Sequence, residues 1–166
     1  MVRPGALEFL EEMKKLYEVV IFTASVSSYA IPLVSRLDKG KYQYQILFRQ
    51  HWDSKDNSFV KDLSKIGRDL NDVIIIDNTP GWYRYHKSNA LPIISWFEDD
   101  SDRELTKMIP LLQKLAKVHD VRPYIKKIVK SNKINYSKVN RVFEDLEWII
   151  SKSESKNKPC KSSERK

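Results

Sequence analysis

The sequence predicts an α/β domain organised on a mainly parallel sheet. Apolar periodicity alternates between helical spacing and short β-branched runs along the body of the chain. The clearest strand, Val73-Ile74-Ile75-Ile76, is apolar on both faces, as a central strand covered by helices on each side must be. Size completes the case: 166 residues, 41% apolar and 31% charged, can bury one core and are too few for two full domains.

Taken in order, Leu7, Leu10, Met13 and Tyr17 recur at helical spacing, and Val19-Val20-Ile21-Phe22 follows as a strand. After Thr23-Ala24-Ser25 a second helix carries Ala30, Leu33, Val34 and Leu37, with Pro32 expected in its first turn or at a kink. Residues 42–49 and 58–60 read as short strands paired around the polar turn Asp53-Ser54-Lys55-Asp56-Asn57. The strand at 73–76, an irregular stretch over 79–89 and a strand near 91–95 come next. A helix over 102–117 is expected to start on Ser101 as N-cap, with Glu104 completing a capping box. Farther on, Val142, Phe143, Leu146, Ile149 and Ile150 form one stripe and predict an amphipathic helix over 137–150, with Ser137 as its N-cap. Docking on the domain is its plainer role, and contact with a partner the sharper one. Residues 151–166, rich in Lys, Ser and Glu and poor in apolar residues, are expected to be a disordered basic tail.

Composition removes several classes. The apolar runs fall far short of the ~20 residues a membrane-spanning helix needs, and Met1-Val2-Arg3-Pro4-Gly5 does not read as a secretory leader. The single cysteine, Cys160, can build neither an internal disulfide nor a cysteine metal site, which fits an intracellular protein. The net charge of +8 suggests an anionic partner until it is located. Through Asp120 there are 17 basic and 17 acidic residues, so the excess lies wholly in the remaining 46, with 13 basic and 5 acidic. A solvated extension is the plain reading of that excess. Its aromatics, Tyr124, Tyr136, Phe143 and Trp148, mostly fit a helix stripe rather than a base-stacking platform, so no specific nucleic-acid partner is expected.

The chemistry is expected at strand ends, where open α/β sheets bind ligands. The first strand delivers Thr23, a hydroxyl followed by backbone amides suited to a phosphoryl oxygen. The strand at 73–76 delivers Asp77 and Asn78, hard oxygen ligands of the kind Mg2+ prefers. Between them Lys61 offers an ammonium for the charge of a transferring phosphoryl group. Each residue also has an ordinary reading: a strand-end threonine and an Asp-Asn pair form turns, and a lysine is usually solvated.

Read as words, the same residues say more. Ile21-Phe22-Thr23-Ala24-Ser25, Phe59-Val60-Lys61-Asp62-Leu63-Ser64-Lys65-Ile66-Gly67-Arg68-Asp69-Leu70 and Ile75-Ile76-Asp77-Asn78-Thr79-Pro80, in this order and spacing, closely resemble the small C-terminal-domain phosphatases and their Dullard-like relatives, the NLI-interacting-factor-like family. The likeness continues through Asn89-Ala90-Leu91-Pro92-Ile93 and Ser95-Trp96-Phe97 to about Val121. It implies a Rossmann-like haloacid-dehalogenase fold with small inserted antiparallel strands, and a Mg2+-dependent hydrolase of phosphoserine or phosphothreonine in protein substrates. It implies a phosphatase domain over 1–121, in a protein of the nucleus or cytoplasm; beyond it, the residues themselves read as a helical extension over 122–150 and the tail over 151–166. Carried over by motif, Thr23 binds the phosphoryl group, Lys61 balances its charge, Asp77 positions Lys61 and metal-bound water, and Asn78 ligates Mg2+. Tyr29 and Arg49 match positions that resemble the family's substrate contacts.

One departure is large. The family's nucleophile and general acid lie in an Asp-x-Asp-x-Thr motif ending a central strand upstream of the residues that match Arg3-Pro4-Gly5. No such motif occurs in this sequence. Without those aspartates there is neither a phosphoryl acceptor nor an acid for the leaving oxygen. The leading expectation is therefore an N-terminally shortened stretch of an active phosphatase, inactive alone and lacking the first central strand. A non-catalytic phosphopeptide-binding or scaffold relative, or a split enzyme completed by a second polypeptide, are the alternatives.

Overall fold

The computed structural model describes residues 2–38, 44–52 and 59–130. The described residues form four helices, α1 (Ala6–Lys14), α2 (Ser27–Asp38), α3 (Glu104–Leu115) and α4 (Arg122–Lys130), and four short strands, β1 (Val20–Phe22), β2 (Gln45–Leu47), β3 (Ile75–Asp77) and β4 (Ala90–Pro92). The alternation is the α/β pattern read from the periodicity. Both strand pairings are parallel: Val20, Ile21 and Phe22 stand opposite Gln45, Ile46 and Leu47, while Ile75, Ile76 and Asp77 stand opposite Ala90, Leu91 and Pro92. Among the described residues no ladder joins β1 to β3.

The main core lies between helices and strands. Phe9, Leu10 and Met13 of α1 share one cluster with Met108, Leu111, Leu112 and Leu115 of α3, Leu91 of β4, and Tyr124, Ile125 and Ile128 of α4. Leu91, Met108 and Ile125 are fully buried, and each such side chain contributes on the order of 1.5 to 3 kcal/mol. A smaller cluster of Leu63, Val73, Ile75, Tyr83 and Ala90 lies close to β3. Asn89 is buried beside it, and its amide donates to the carbonyls of Leu70 at 2.6 Å and Val73 at 2.8 Å.

Several expectations change. Within the described residues, the strand after α2, β2, joins β1 in parallel, because α2 supplies the crossover that a parallel neighbour requires. Val60 is a single bridge residue, and the turn at 53–57 lies outside the described residues. Pro32 sits inside α2, past its first turn. Ser101 does not cap α3: its hydroxyl donates to the Asp99 carboxylate at 2.7 Å, and Asp102 accepts the Glu104 amide at 3.2 Å. The irregular stretch 79–89 contains two 3-10 turns, Pro80–Tyr83 and Lys87–Asn89. Helix α4 is an addition to the elements read from periodicity; it packs on β4 and the Lys87–Asn89 turn, so the core continues through it. The amphipathic helix over 137–150 and the tail 151–166 lie outside the described residues.

The start of α1 is fixed from two sides. Arg3 holds Asp102 with Nε at 2.8 Å and a terminal nitrogen at 2.7 Å, and donates to the Ile94 carbonyl at 2.8 Å. This guanidinium holds the Asp102 carboxyl below its ordinary range. Gly5 then enters α1 at φ 74°, where an added Cβ would lie 2.5 Å from Thr106 Oγ1. Gly5→Ala is expected to lower stability by about 1 to 3 kcal/mol through the left-handed backbone and that close approach, read as a drop in urea midpoint without a change in slope.

Candidate active site

The site forms where β1 and β3 end. Lys61 is 4% exposed, and its ammonium donates to the Phe22 carbonyl at 2.8 Å and to Asp77 Oδ2 at 2.6 Å. One side chain therefore ties the last residue of β1 to the last residue of β3. The backbone holds it there: the Lys61 amide donates to the Trp82 carbonyl at 2.7 Å. A buried ammonium is costly to desolvate unless paired and hydrogen-bonded, and the Asp77 carboxylate supplies the pairing. Asp77 is itself 6% exposed, and its Oδ1 accepts the Thr79 amide at 2.8 Å.

Aromatic rings surround the same ammonium. Its nitrogen lies 5.4 Å from the Phe22 and Trp52 ring centres and 5.1 Å from that of Trp82. Trp52 meets Phe22, Phe59 and Trp82 edge to face, with centroids 6.3, 6.0 and 5.1 Å apart. Sequence reasoning misses both tryptophans. Each lies in an irregular segment, where periodicity carries no signal.

The loop after β1 is built from Thr23. Its amide extends the β1–β2 ladder to the Leu47 carbonyl at 2.9 Å, and its hydroxyl oxygen accepts the Ser25 amide at 3.0 Å. Trp52 donates its indole N–H to the Thr23 carbonyl at 3.1 Å, and Arg49 donates Nε to the Ala24 carbonyl at 2.9 Å. Arg49 thus braces the loop. Tyr29, 63% exposed on α2, presents its ring to the surface rather than to the core.

Asn78 follows Asp77 and donates its amide to the Ser95 hydroxyl at 2.8 Å. Together with Arg3, Ile93, Ile94, Trp96 and Phe97 the two residues line a cavity of about 310 Å³. Ser95, beyond the end of β4, is likewise missed as a site residue. For a divalent cation the fit is partial. Asp77 and Asn78 are hard oxygen donors, but among the described residues no cluster of three or more His, Cys, Asp or Glu side chains can hold a metal. These two side chains could furnish part of a Mg2+ shell, with phosphate and water oxygens needed for the rest.

Next to Lys61, Asp62 caps the 3-10 turn Leu63–Ile66 by accepting the Ser64 amide at 3.1 Å and hydroxyl at 2.7 Å, and it meets His86 Nε2 at 2.8 Å. Burial tends to raise its pKa, but the Ser64 and His86 hydrogen bonds and the His86 charge prevail and hold it at about 2.

A lysine and an aspartate thus meet at two strand ends, beside a threonine loop. The chain belongs to the NLI interacting factor-like phosphatase family, whose profile matches residues 1–122. It is 47% identical over 120 residues to a probable C-terminal domain small phosphatase of Dictyostelium discoideum, covering 72% of this chain and 39% of that protein. It is 50% identical over 114 residues to phosphatase PSR1 of Saccharomyces cerevisiae, covering 69% and 27%. With the human carboxy-terminal domain RNA polymerase II polypeptide A small phosphatase 1 it shares 44% identity over 119 residues, covering 72% and 46%. The chain thus spans less than half the length of each of these relatives. The structure of Fcp1, an essential RNA polymerase II CTD phosphatase, superposes with a TM-score of 0.61 at 18% identity, over 78% of this chain and 49% of that one. This likeness supports a haloacid-dehalogenase-like α/β fold.

Two outcomes follow from this geometry. Asp77→Ala leaves the Lys61 ammonium buried without its carboxylate and is expected to cost about 3 to 5 kcal/mol in chemical denaturation, whereas Lys61→Met combined with Asp77→Leu recovers most of that loss. Asp62→Ala is expected to cost about 1 to 2 kcal/mol at neutral pH through the lost cap. Because the Asp62 pKa is lowered from 3.8 to about 2, its contribution is complete above the ordinary value and disappears as pH falls through about 2. Melting curves of the two proteins should therefore converge at strongly acid pH.

Proposed function

We propose that this stretch is the phosphoryl-binding part of a Mg2+-dependent protein serine/threonine phosphatase of the C-terminal-domain phosphatase type. The observation that carries the reading is the placement of the Lys61 ammonium at the joined ends of β1 and β3. Of its three donors, Phe22 and Asp77 take two among the described residues, and the third suits an oxygen of a bound phosphoryl group. Thr23 then binds a second phosphoryl oxygen by donating its hydroxyl, whose oxygen accepts the Ser25 amide, together with the Ala24 amide. Asp77 holds Lys61 in place, and Asp77 with Asn78 would hold Mg2+. When bound, Mg2+ supplies charge neutralisation at the phosphoryl oxygens. Tyr29 and Arg49 are the proposed substrate-side residues, Tyr29 by contact and Arg49 by bracing the Thr23 loop.

The nucleophile and general acid are proposed to lie on a further strand, upstream in the natural protein and seated between β1 and β3. The absence of a ladder between those strands among the described residues supports this placement. We further propose a domain over 1–121 with a helical extension over 122–150, a basic tail over 151–166, a phosphoprotein substrate, partner contact through 137–150, and a nuclear or cytoplasmic location. A second reading is a non-catalytic phosphopeptide-binding or scaffold relative.

An upstream-extended chain is expected to hydrolyse a phosphoserine peptide only with Mg2+, and Lys61→Ala to slow turnover by about 100-fold or more. Phosphopeptide binding without Mg2+-dependent turnover would favour the second reading.

A further inference from the structure

Two of the residues assigned above to phosphoryl binding, Thr23 and Lys61, come from separate segments, and one side chain touches both. Trp52 donates its indole N–H to the Thr23 carbonyl at 3.1 Å and presents its ring to the Lys61 ammonium at 5.4 Å. Trp82 packs against Trp52 with centroids 5.1 Å apart and lies 5.1 Å from the same ammonium, while its carbonyl accepts the Lys61 amide at 2.7 Å. We propose that Trp52 is a positioning residue that sets the separation and aim of Thr23 and Lys61, with Trp82 as its backstop. The inference rests on the functional reading above and deepens it.

The physical case is a division of labour within one indole. A ring edge-on to Phe22 and Trp82 has little rotational freedom, so both of its contacts are fixed together. The N–H end holds the Thr23 carbonyl, and thereby the loop that carries the Thr23 hydroxyl. The π face attracts the ammonium, which also stops Lys61 from swinging away from Phe22 and Asp77. Those two polar partners fix the Lys61 nitrogen along the line between β1 and β3; the rings confine it across that line. Phe59, also edge to face with Trp52 and 52% exposed, closes the outer side of the stack.

The two ends of the indole can be separated experimentally. The full chain is compared with Trp52→Ala, Trp52→Phe and Lys61→Ala by proton NMR and by titration with a phosphothreonine peptide, with circular dichroism melting as the control for folding. In the starting protein the Lys61 ε-methylene protons are expected upfield from ring currents. Trp52→Phe keeps a ring and should largely preserve that shift, yet it removes the N–H and should move the Thr23 resonances. Trp52→Ala should relax both, and should weaken peptide binding by about two- to tenfold. Lys61→Ala should weaken it by about tenfold or more. If Lys61→Ala leaves the affinity unchanged, or the chain binds no phosphopeptide, the phosphoryl-binding reading fails and this role falls with it. If Lys61→Ala weakens binding while Trp52→Ala does not, or if Thr23 is undisturbed in folded Trp52→Phe protein, the positioning role alone is overturned.

Discussion

The Lys61 ammonium, held between the Phe22 carbonyl and the Asp77 carboxylate, is the constraint around which the site is arranged. Both pairs of strands are short, and among the described residues no backbone ladder connects them. Packing through the helices brings the pairs into one body, but it does not specify how their ends align. A charged group with fixed donors does, because its desolvation is tolerable in few geometries. The aromatic rings narrow those geometries further. The same lysine is therefore a structural clamp and a candidate ligand for anionic oxygen, and the two roles use different donors of one nitrogen.

Support for that lysine comes from its neighbours in sequence. Val60, immediately before it, is fully buried, and Asp62, immediately after it, is anchored by Ser64 and His86. A residue flanked by an apolar anchor and a polar anchor has little freedom to rotate about the chain. At the start of α1, Arg3 and Gly5 perform a comparable service, one by a forked ion pair and the other by a backbone form that admits close approach to Thr106. In both places precision arises from small, separate contacts rather than from the size of the core.

Much of this is legible in the sequence. Thr23, Asp77 and Asn78 lie at the ends of β1 and β3, because a β-branched run terminated by polar residues defines its own end, whereas the side-chain partners of Lys61 come from distant segments. Helices α1, α2 and α3 are legible for a similar reason: an apolar stripe at helical spacing must be buried by something. What escapes notice has physical causes as well. The partner of β2 depends on a crossover, a property of topology rather than of local pattern. The capping residue of α3 depends on Asp99 capturing the Ser101 hydroxyl, a competition among neighbouring acceptors that spacing alone does not decide. Trp52, Trp82 and Ser95 lie in irregular segments and gain meaning only from what lies across from them. Helix α4 begins where the excess of basic residues begins, and the charge there masks the buried Tyr124, Ile125 and Ile128.

The distance along the sequence between the groups that meet at Lys61 also bears on how the chain closes. Each parallel pair closes a loop of moderate length, so each can form from residues not far apart in sequence. The Lys61 junction must instead join Phe22, 39 positions away, and Asp77, 16 positions away, at a single point. Closure over the longer span has little local reward until both pairs already exist. The charged centre is thus placed like the keystone of an arch, bearing on both spans at once and held by the stones on either side.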